Sequence, residues 1–210
     1  MNINTLKLCL VTHIQHQSIS QYKHFIREAI QGGVTCVQLR QKEWSDSQLK
    51  QLALELKSLL HDLNIPLIIN DYIELAIEID ADGVHLGQTD LSPTAARKIL
   101  GPQKIIGLSV ETMAQVELAN QDEFIDYIAA SAVFHSRTKP TCHTIWGLDG
   151  LTQVIKKSKH RVVAIGGINL TNIKDVWNTG VHGIAVISAL HDAINPKQTA
   201  ELLMRDTNVN

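Results

Sequence analysis

Short apolar, β-branched runs return at near-regular intervals along the whole chain, and no other feature constrains its fold as strongly. They occupy residues 6–12, 34–40, 66–70, 83–87, 104–109, 127–134, 162–168 and 183–188. Between them the apolar residues take helical spacing, as in Leu49, Leu52, Ala53, Leu56, Leu59 and Leu60, or Ala95, Ala96, Ile99 and Leu100. Strands that are apolar throughout, rather than alternating with polar residues, belong to a sheet covered on both faces, as parallel sheets with helical crossovers are.

Eight such units in 210 residues leave about 25 residues each, which fits a (β/α)8 TIM barrel with minimal loops. The competing doubly wound sheet requires a glycine-rich turn after its first strand, and Leu10-Val11-Thr12-His13-Ile14-Gln15 contains no glycine. Helix starts keep the same register: Ser45-Asp46, Ser92-Pro93 and residues 169–172 place capping residues or an early proline before helical segments. With no linker or low-complexity stretch, the expectation is one compact barrel domain over residues 1–210.

A hydrophobic content of 44% with 19% charged residues excludes disordered and fibrous classes. The net charge of -2 provides no general field for nucleic acid or an anionic membrane, so any anion site must be local. No apolar run approaches transmembrane length, and residues 1–10 lack the pattern of an export signal. Cys9, Cys36 and Cys142 are odd in number and widely spaced, which suits a reducing cytoplasm; Cys9 and Cys36 read as core. The composition leaves a homo-oligomer open.

Barrels of this kind work at the C-terminal ends of their strands, so polar residues closing an apolar run are the first candidates. Along Val37-Gln38-Leu39-Arg40-Gln41-Lys42 the period of two sends Gln38, Arg40 and Lys42 to one side and Val37 and Leu39 to the other. Two cations and an amide at a barrel mouth call for an anionic ligand, the alternative being a structural ion pair. Asp71 and Asp90 follow the third and fourth strands. Each alone reads as a helix cap, but together, near Arg40 and Lys42, they suit a hard divalent ion whose other positions are filled by phosphate and water.

Gly166-Gly167 after the seventh strand and Ser188 after the eighth stand where barrels commonly bind phosphate. The stretch His135-Ser136-Arg137-Thr138-Lys139-Pro140 reads as a long loop, either a lid over phosphates or a solvated basic segment. His13 and His16 lack a metal-site partner motif, whereas His85 has inward parity within its strand. No nucleophile elbow or activated cysteine is present.

Seven segments in order resemble the thiamine-phosphate synthase family over nearly the entire chain. They are Val37-Gln38-Leu39-Arg40-Gln41-Lys42, Ile69-Asn70-Asp71, Ala81-Asp82-Gly83-Val84-His85-Leu86-Gly87-Gln88-Thr89-Asp90-Leu91, Ile106-Gly107-Leu108-Ser109, Ser136-Arg137-Thr138-Lys139, Ala164-Ile165-Gly166-Gly167-Ile168 and Val186-Ile187-Ser188-Ala189. The resemblance implies a barrel that joins a hydroxymethylpyrimidine diphosphate to a hydroxyethylthiazole phosphate, releasing pyrophosphate. It places the pyrimidine diphosphate on the stretch Gln38, Leu39, Arg40, Gln41 and Lys42 with Asn70 and Lys139, and the pyrimidine against Ser109. It gives Asp71 and Asp90 to Mg²⁺, and the thiazole phosphate to Ser136, Arg137, Thr138, Gly167, Ile187 and Ser188. Arg40, Lys42, Lys139 and Ser109 would then carry the chemistry.

Some positions depart from the family pattern. Ser131-Ala132-Val133-Phe134 replaces a common Gly-Pro pair followed by an apolar residue and Phe, Ser136 replaces a commoner threonine, and Tyr72 follows Asn70-Asp71 where arginine is frequent. The related thiazole tautomerases carry a catalytic histidine where this chain has Ala132, and lack the Thr138-Lys139 pair that it has. A tautomerase-like isomerase and a non-catalytic phosphate-binding regulator are the alternatives. Either would leave the diphosphate cations and the two aspartates together without a use.

Overall fold

The structure, a computed structural model, describes residues 3–41, 44–136 and 144–205. In chain order the elements are β1 (Leu8–Val11), α1 (Ile19–Gln31), β2 (Cys36–Leu39), α2 (Asp46–Asp62), β3 (Leu67–Asn70), α3 (Ile73–Glu78), β4 (Gly83–Leu86) and α4 (Pro93–Leu100). They continue with β5 (Ile105–Val110), α5 (Met113–Ala119), β6 (Tyr127–Ser131), α6 (Gly147–Lys157), β7 (Arg161–Ile165), α7 (Ile173–Asn178), β8 (Gly183–Val186), α8 (Ser188–His191) and α9 (Pro196–Met204). Every pairing between neighbouring strands is parallel, and β8 pairs with β1 to close the barrel. Each expected run overlaps one strand, with β5 and β7 each extending one residue beyond theirs. The run at 127–134 overshoots its strand by three residues, because after Ser131 the chain leaves the ladder and Val133 and Phe134 donate instead to the carbonyls of Ile165 and Gly166.

Period two sorts the strand residues into two shells. Leu10, Val37, Leu39, Ile69, Val84, Ile106 and Ile184 point outward and pack with Ile26 of α1 and Leu52, Leu56 and Leu60 of α2. Cys9, Cys36, Ile68, Tyr127, Ala129, Val163 and Ala185 point inward and fill the barrel. Gln38, Asn70, His85 and Ser131 are inward and buried too, so the interior turns from apolar to polar toward the strand C-termini. Ser18 and Ser45 form capping boxes with Gln21 and Gln48, and Ser92 caps α4 ahead of Pro93. Asn172 differs from expectation: it accepts the Asn169 N–H and donates to the Gly167 carbonyl, holding the turn after β7 rather than capping α7.

At the other end, one device is used four times. The residue preceding each even strand accepts the N–H of a residue at the start of the odd strand before it. Leu8 donates to Thr35 Oγ1 at 3.0 Å, Leu67 to Asp82 Oδ2 at 2.8 Å, Ile106 to Asp126 Oδ2 at 2.8 Å and Val162 to His182 Nδ1 at 3.1 Å. Thr35, Asp82, Asp126 and His182 return their own N–H to the carbonyl of the same residue. A strand N–H left unsatisfied there would cost about 1–3 kcal/mol. Both carboxylates are also ion-paired, Asp82 with Lys57 and Asp126 with Arg97.

His191 makes a comparable tie at the mouth. Its Nδ1 donates to the Ile187 carbonyl at 2.8 Å, and its Nε2 meets the Tyr22 hydroxyl at 2.8 Å and the His13 N–H at 3.2 Å. The bonds need a neutral ring, and burial pushes its pKa down to about 4. Burial, followed by Arg161 and Lys7, also lowers that of His182.

Two outcomes follow for stability. Asp126→Ala, which strips the Ile106 N–H and the Arg97 guanidinium of their acceptor, should cost about 3 kcal/mol in urea unfolding, and Thr35→Val about 1. Because the unfolded histidine takes up its proton near pH 6.5 and folded His191 only near 4, the stability it gives is complete above about 6.5 and lost as pH falls toward 4. The loss should reach roughly 3 kcal/mol, and unfolding measured from pH 7 to 4 should show a flatter profile for His191→Gln.

Candidate active site

A cavity of about 400 Å³ opens at the C-terminal mouth, lined by inward strand residues and the turns that follow them. Gln38, Arg40, Asn70, Asp71, His85, Asp90, Ser109, Ser136 and Ile187 all contribute. A cavity of similar volume lies between α4 and α5, but the inward residues of the strands do not converge on it.

The cation is presented by the end of β2. Thr12 clamps the backbone of Arg40, accepting its N–H at 2.9 Å and donating to its carbonyl at 3.3 Å. Gln41 turns the other way, and its amide both accepts from the Ile14 N–H and donates to the Ile14 carbonyl, each at 3.1 Å. The guanidinium is thereby left in the cavity, and among the described residues it has no ion pair. The structural ion pair considered for Arg40 is therefore not formed within the described residues.

Asp71 and Asp90 flank the same space, and neither caps a helix. The position before α3 is Tyr72, and α4 is capped by Ser92. Asp71 sits in a three-residue turn with φ of 66°, closed by Tyr72 N–H on the Asn70 carbonyl at 2.8 Å. Such left-handed backbone is uncommon outside glycine and tolerated best by Asp and Asn. Asp90 folds back so that its Oδ2 accepts the Gly87 N–H at 2.7 Å, and Gln88 donates to the Ser109 carbonyl at 2.6 Å. No group of three or more His, Cys, Asp or Glu side chains gathers to hold a metal among the described residues. Protein donation would thus rest on these two carboxylates.

Across the cavity the tail of β6 lies on the turn after β7. A Cβ at Gly166 would stand 2.4 Å from Ala132 Cβ, and one at Gly167, whose φ is 66°, would stand 2.5 Å from the His135 carbonyl oxygen. Only glycine allows this approach, which brings Ser136 beside Ile165 and Ile187 on the cavity wall. Gly167 and Ser188 flank that wall without lining the cavity. Leu39 faces the outer shell and Gln41 is spent on Ile14, so neither side chain reaches it. Lys42, Arg137, Thr138 and Lys139 lie outside the described residues.

Several cavity residues went unnoticed in the sequence. Glu111, Gln115, Gln88 and Ser131 line the wall, and Tyr127 stands beneath His85. Parity could have found Glu111, which continues the inward series Gly107, Ser109. Tyr127 could have been suspected from its register opposite Gly107, where a Cβ would fall 2.2 Å from the tyrosine Cζ. Burial pushes the Tyr127 phenol pKa well up, so the group stays protonated.

The family model described as thiamine monophosphate synthase matches residues 8–190. The chain is 45% identical over 203 residues to the thiamine-phosphate synthase of Vibrio parahaemolyticus serotype O3:K6, covering 96% of this chain and 98% of that protein. Against the thiamine-phosphate synthase of Chlamydia abortus the identity is 43%, covering 97% and 95%. Among solved structures, the thiamine phosphate pyrophosphorylase from Pyrococcus furiosus superposes with a TM-score of 0.87 at 34% identity, covering 98% of this chain and 96% of that one. A 3-hexulose-6-phosphate synthase from Salmonella typhimurium, at 17% identity and a TM-score of 0.71, shares the fold alone. With a family model spanning most of its length, relatives above 40% identity and a mouth assembled from the segments that carried the resemblance, the chain belongs to the thiamine monophosphate synthase family.

Proposed function

We propose that the protein joins an aminopyrimidine methyl diphosphate to a thiazole phosphate, giving thiamine phosphate and pyrophosphate. The observation that carries this reading is the meeting of Arg40, which has no ion pair among the described residues, with the Asn70 amide and the carboxylates of Asp71 and Asp90 in one cavity. Such a set suits a diphosphate with a divalent cation, while the wall at Ser136 and Ile187 leaves room for a second ligand. In the reaction the methylene C–O bond breaks, pyrophosphate departs with the electron pair, and the thiazole nitrogen forms the new C–N bond. No side chain need act as nucleophile, so the work of the site is to orient two ligands, exclude water and receive the leaving anion.

The donor set fits Mg²⁺, which prefers oxygen ligands and is commonly held by one or two carboxylates with phosphate and water. Asp71 and Asp90 would hold it, and it would supply charge neutralisation to the departing pyrophosphate. Arg40, with Lys42 and Lys139, would share that load, and Ser109 would face the pyrimidine. Ser136 and Thr138 would grip the thiazole phosphate. Ala132 favours this reading over a tautomerase, because its buried methyl cannot move a proton as a histidine at that position would. The odd number and wide spacing of Cys9, Cys36 and Cys142 suit a reducing cytoplasmic setting.

The direct test is incubation with both substrates and Mg²⁺, scored for thiamine phosphate and pyrophosphate. Absence of both products overturns the reading. Asp71→Asn and Asp90→Asn should each lower activity at limiting Mg²⁺, recover partly at excess metal and leave Tm nearly unchanged; full activity in chelator would refute the metal assignment. Lys139→Ala should cut kcat, since a cation that tightens on the leaving group acts on the transition state. Thr138→Ala should mainly raise KM for the thiazole phosphate, by about three- to tenfold for one lost hydrogen bond. Initial rates with each substrate varied at saturating levels of the other separate the two effects.

A further inference from the structure

The one-turn helix α8 starts directly after Ile187 on the cavity wall, and its last residue reaches back to that wall. The Ile187 carbonyl accepts the Leu190 N–H at 3.2 Å, the His191 N–H at 3.1 Å and the His191 Nδ1–H at 2.8 Å. The imidazole bond is the shortest of the three. A four-residue helix bears the nucleation cost of its first turn without further bonds along its length to offset it, so its position depends on ties to the rest of the barrel.

The same ring is fixed from α1 and from the turn after β1. Its Nε2 lies 2.8 Å from the Tyr22 hydroxyl and accepts the His13 N–H at 3.2 Å, and that N–H also reaches the Tyr22 oxygen at 3.2 Å. A backbone carbonyl can only accept and a backbone N–H can only donate, so both nitrogens are assigned. Nδ1 carries the proton, and Nε2 is the acceptor to which Tyr22 donates. The Tyr22 and Phe25 rings lie against the imidazole, with centroids 5.8 and 4.8 Å away, and restrict its rotation.

Ile187 shares its wall with Ser136 and Ile165, on the side of the cavity left for the second ligand, whereas His191 does not line the cavity itself. We infer that His191 is a positioning residue for the thiazole phosphate: its Nδ1–H holds the Ile187 carbonyl and thereby sets where Ile187 stands on the wall that receives this ligand. This rests on the reaction proposed above. With the carbonyl released, the start of α8 could shift and the wall would fit the thiazole phosphate less closely. Such a loss weakens ground state and transition state alike, which raises KM and leaves kcat in place. The pyrimidine diphosphate, held at Arg40, Asn70, Asp71 and Asp90, would be unaffected.

Two substitutions separate the two nitrogens of the ring. His191→Gln puts an amide oxygen near the Nε2 position, so it keeps the acceptor for Tyr22 and His13 but releases Ile187. His191→Asn puts an amide N–H near the Nδ1 position, so it keeps the Ile187 bond and gives up the other. Initial rates should show KM for the thiazole phosphate raised about fivefold in His191→Gln, the worth of about one hydrogen bond, and rescued to within about twofold of wild type in His191→Asn. In both variants kcat and KM for the pyrimidine diphosphate should stay within about twofold of wild type. A ring with a structural role alone would lower Tm without separating the variants, so equal KM values for the thiazole phosphate in the two, raised or not, would overturn the inference. Wild-type protein supplies a readout should either variant fold poorly: imidazole nitrogen NMR should find the His191 proton on Nδ1, and a proton on Nε2 would also overturn it. Wild-type enzyme making no thiamine phosphate would instead overturn the proposed function.

Discussion

The tyrosine ring fitted into the space of an absent side chain is the contact on which the working end of this barrel depends. A closed ring of eight short strands encloses a core that must be filled. At the level of Gly107 one large residue, Tyr127, does the filling, flanked in register by His85 on the strand beyond. Below it lie Cys9, Cys36, Ile68 and Val163, a dry floor. Above it the inward positions are polar and the cavity begins. A bulkier residue at 107 would displace the phenol, and with it the hydroxyl that meets His85.

Much of this was legible because parallel barrels repeat a simple rule. The run Val37-Gln38-Leu39-Arg40 splits by parity into an outer apolar pair and an inner polar pair, and the folded strand keeps that split. Asp71 and Asp90 were placed correctly at one rim by the strand ends they follow. Gln41 shows where parity stops: beyond the last ladder bond the chain turns, and a long-range amide bond to Ile14 decides where the side chain goes. Tyr127 and the four ties at the base escaped for a related reason, since each depends on a partner 15 to 42 residues away. The segment carrying Thr138 and Lys139 was legible only by resemblance.

The repeated tie at the base divides the barrel into β1–β2, β3–β4, β5–β6 and β7–β8. Within each pair the strands are bolted by a side chain as well as by the ladder. At the seams between pairs no such side-chain acceptor recurs among the described residues. The quarters differ in what they bring to the mouth. The first carries the cation and amide of Arg40 and Gln38, the second the carboxylates Asp71 and Asp90, the third Ser109 and Ser136, the fourth Ile187. The ring is therefore modular in chemistry as in construction, and one quarter could be exchanged for its counterpart in another enzyme of this architecture, altering one ligand contact while the remaining three keep their frame.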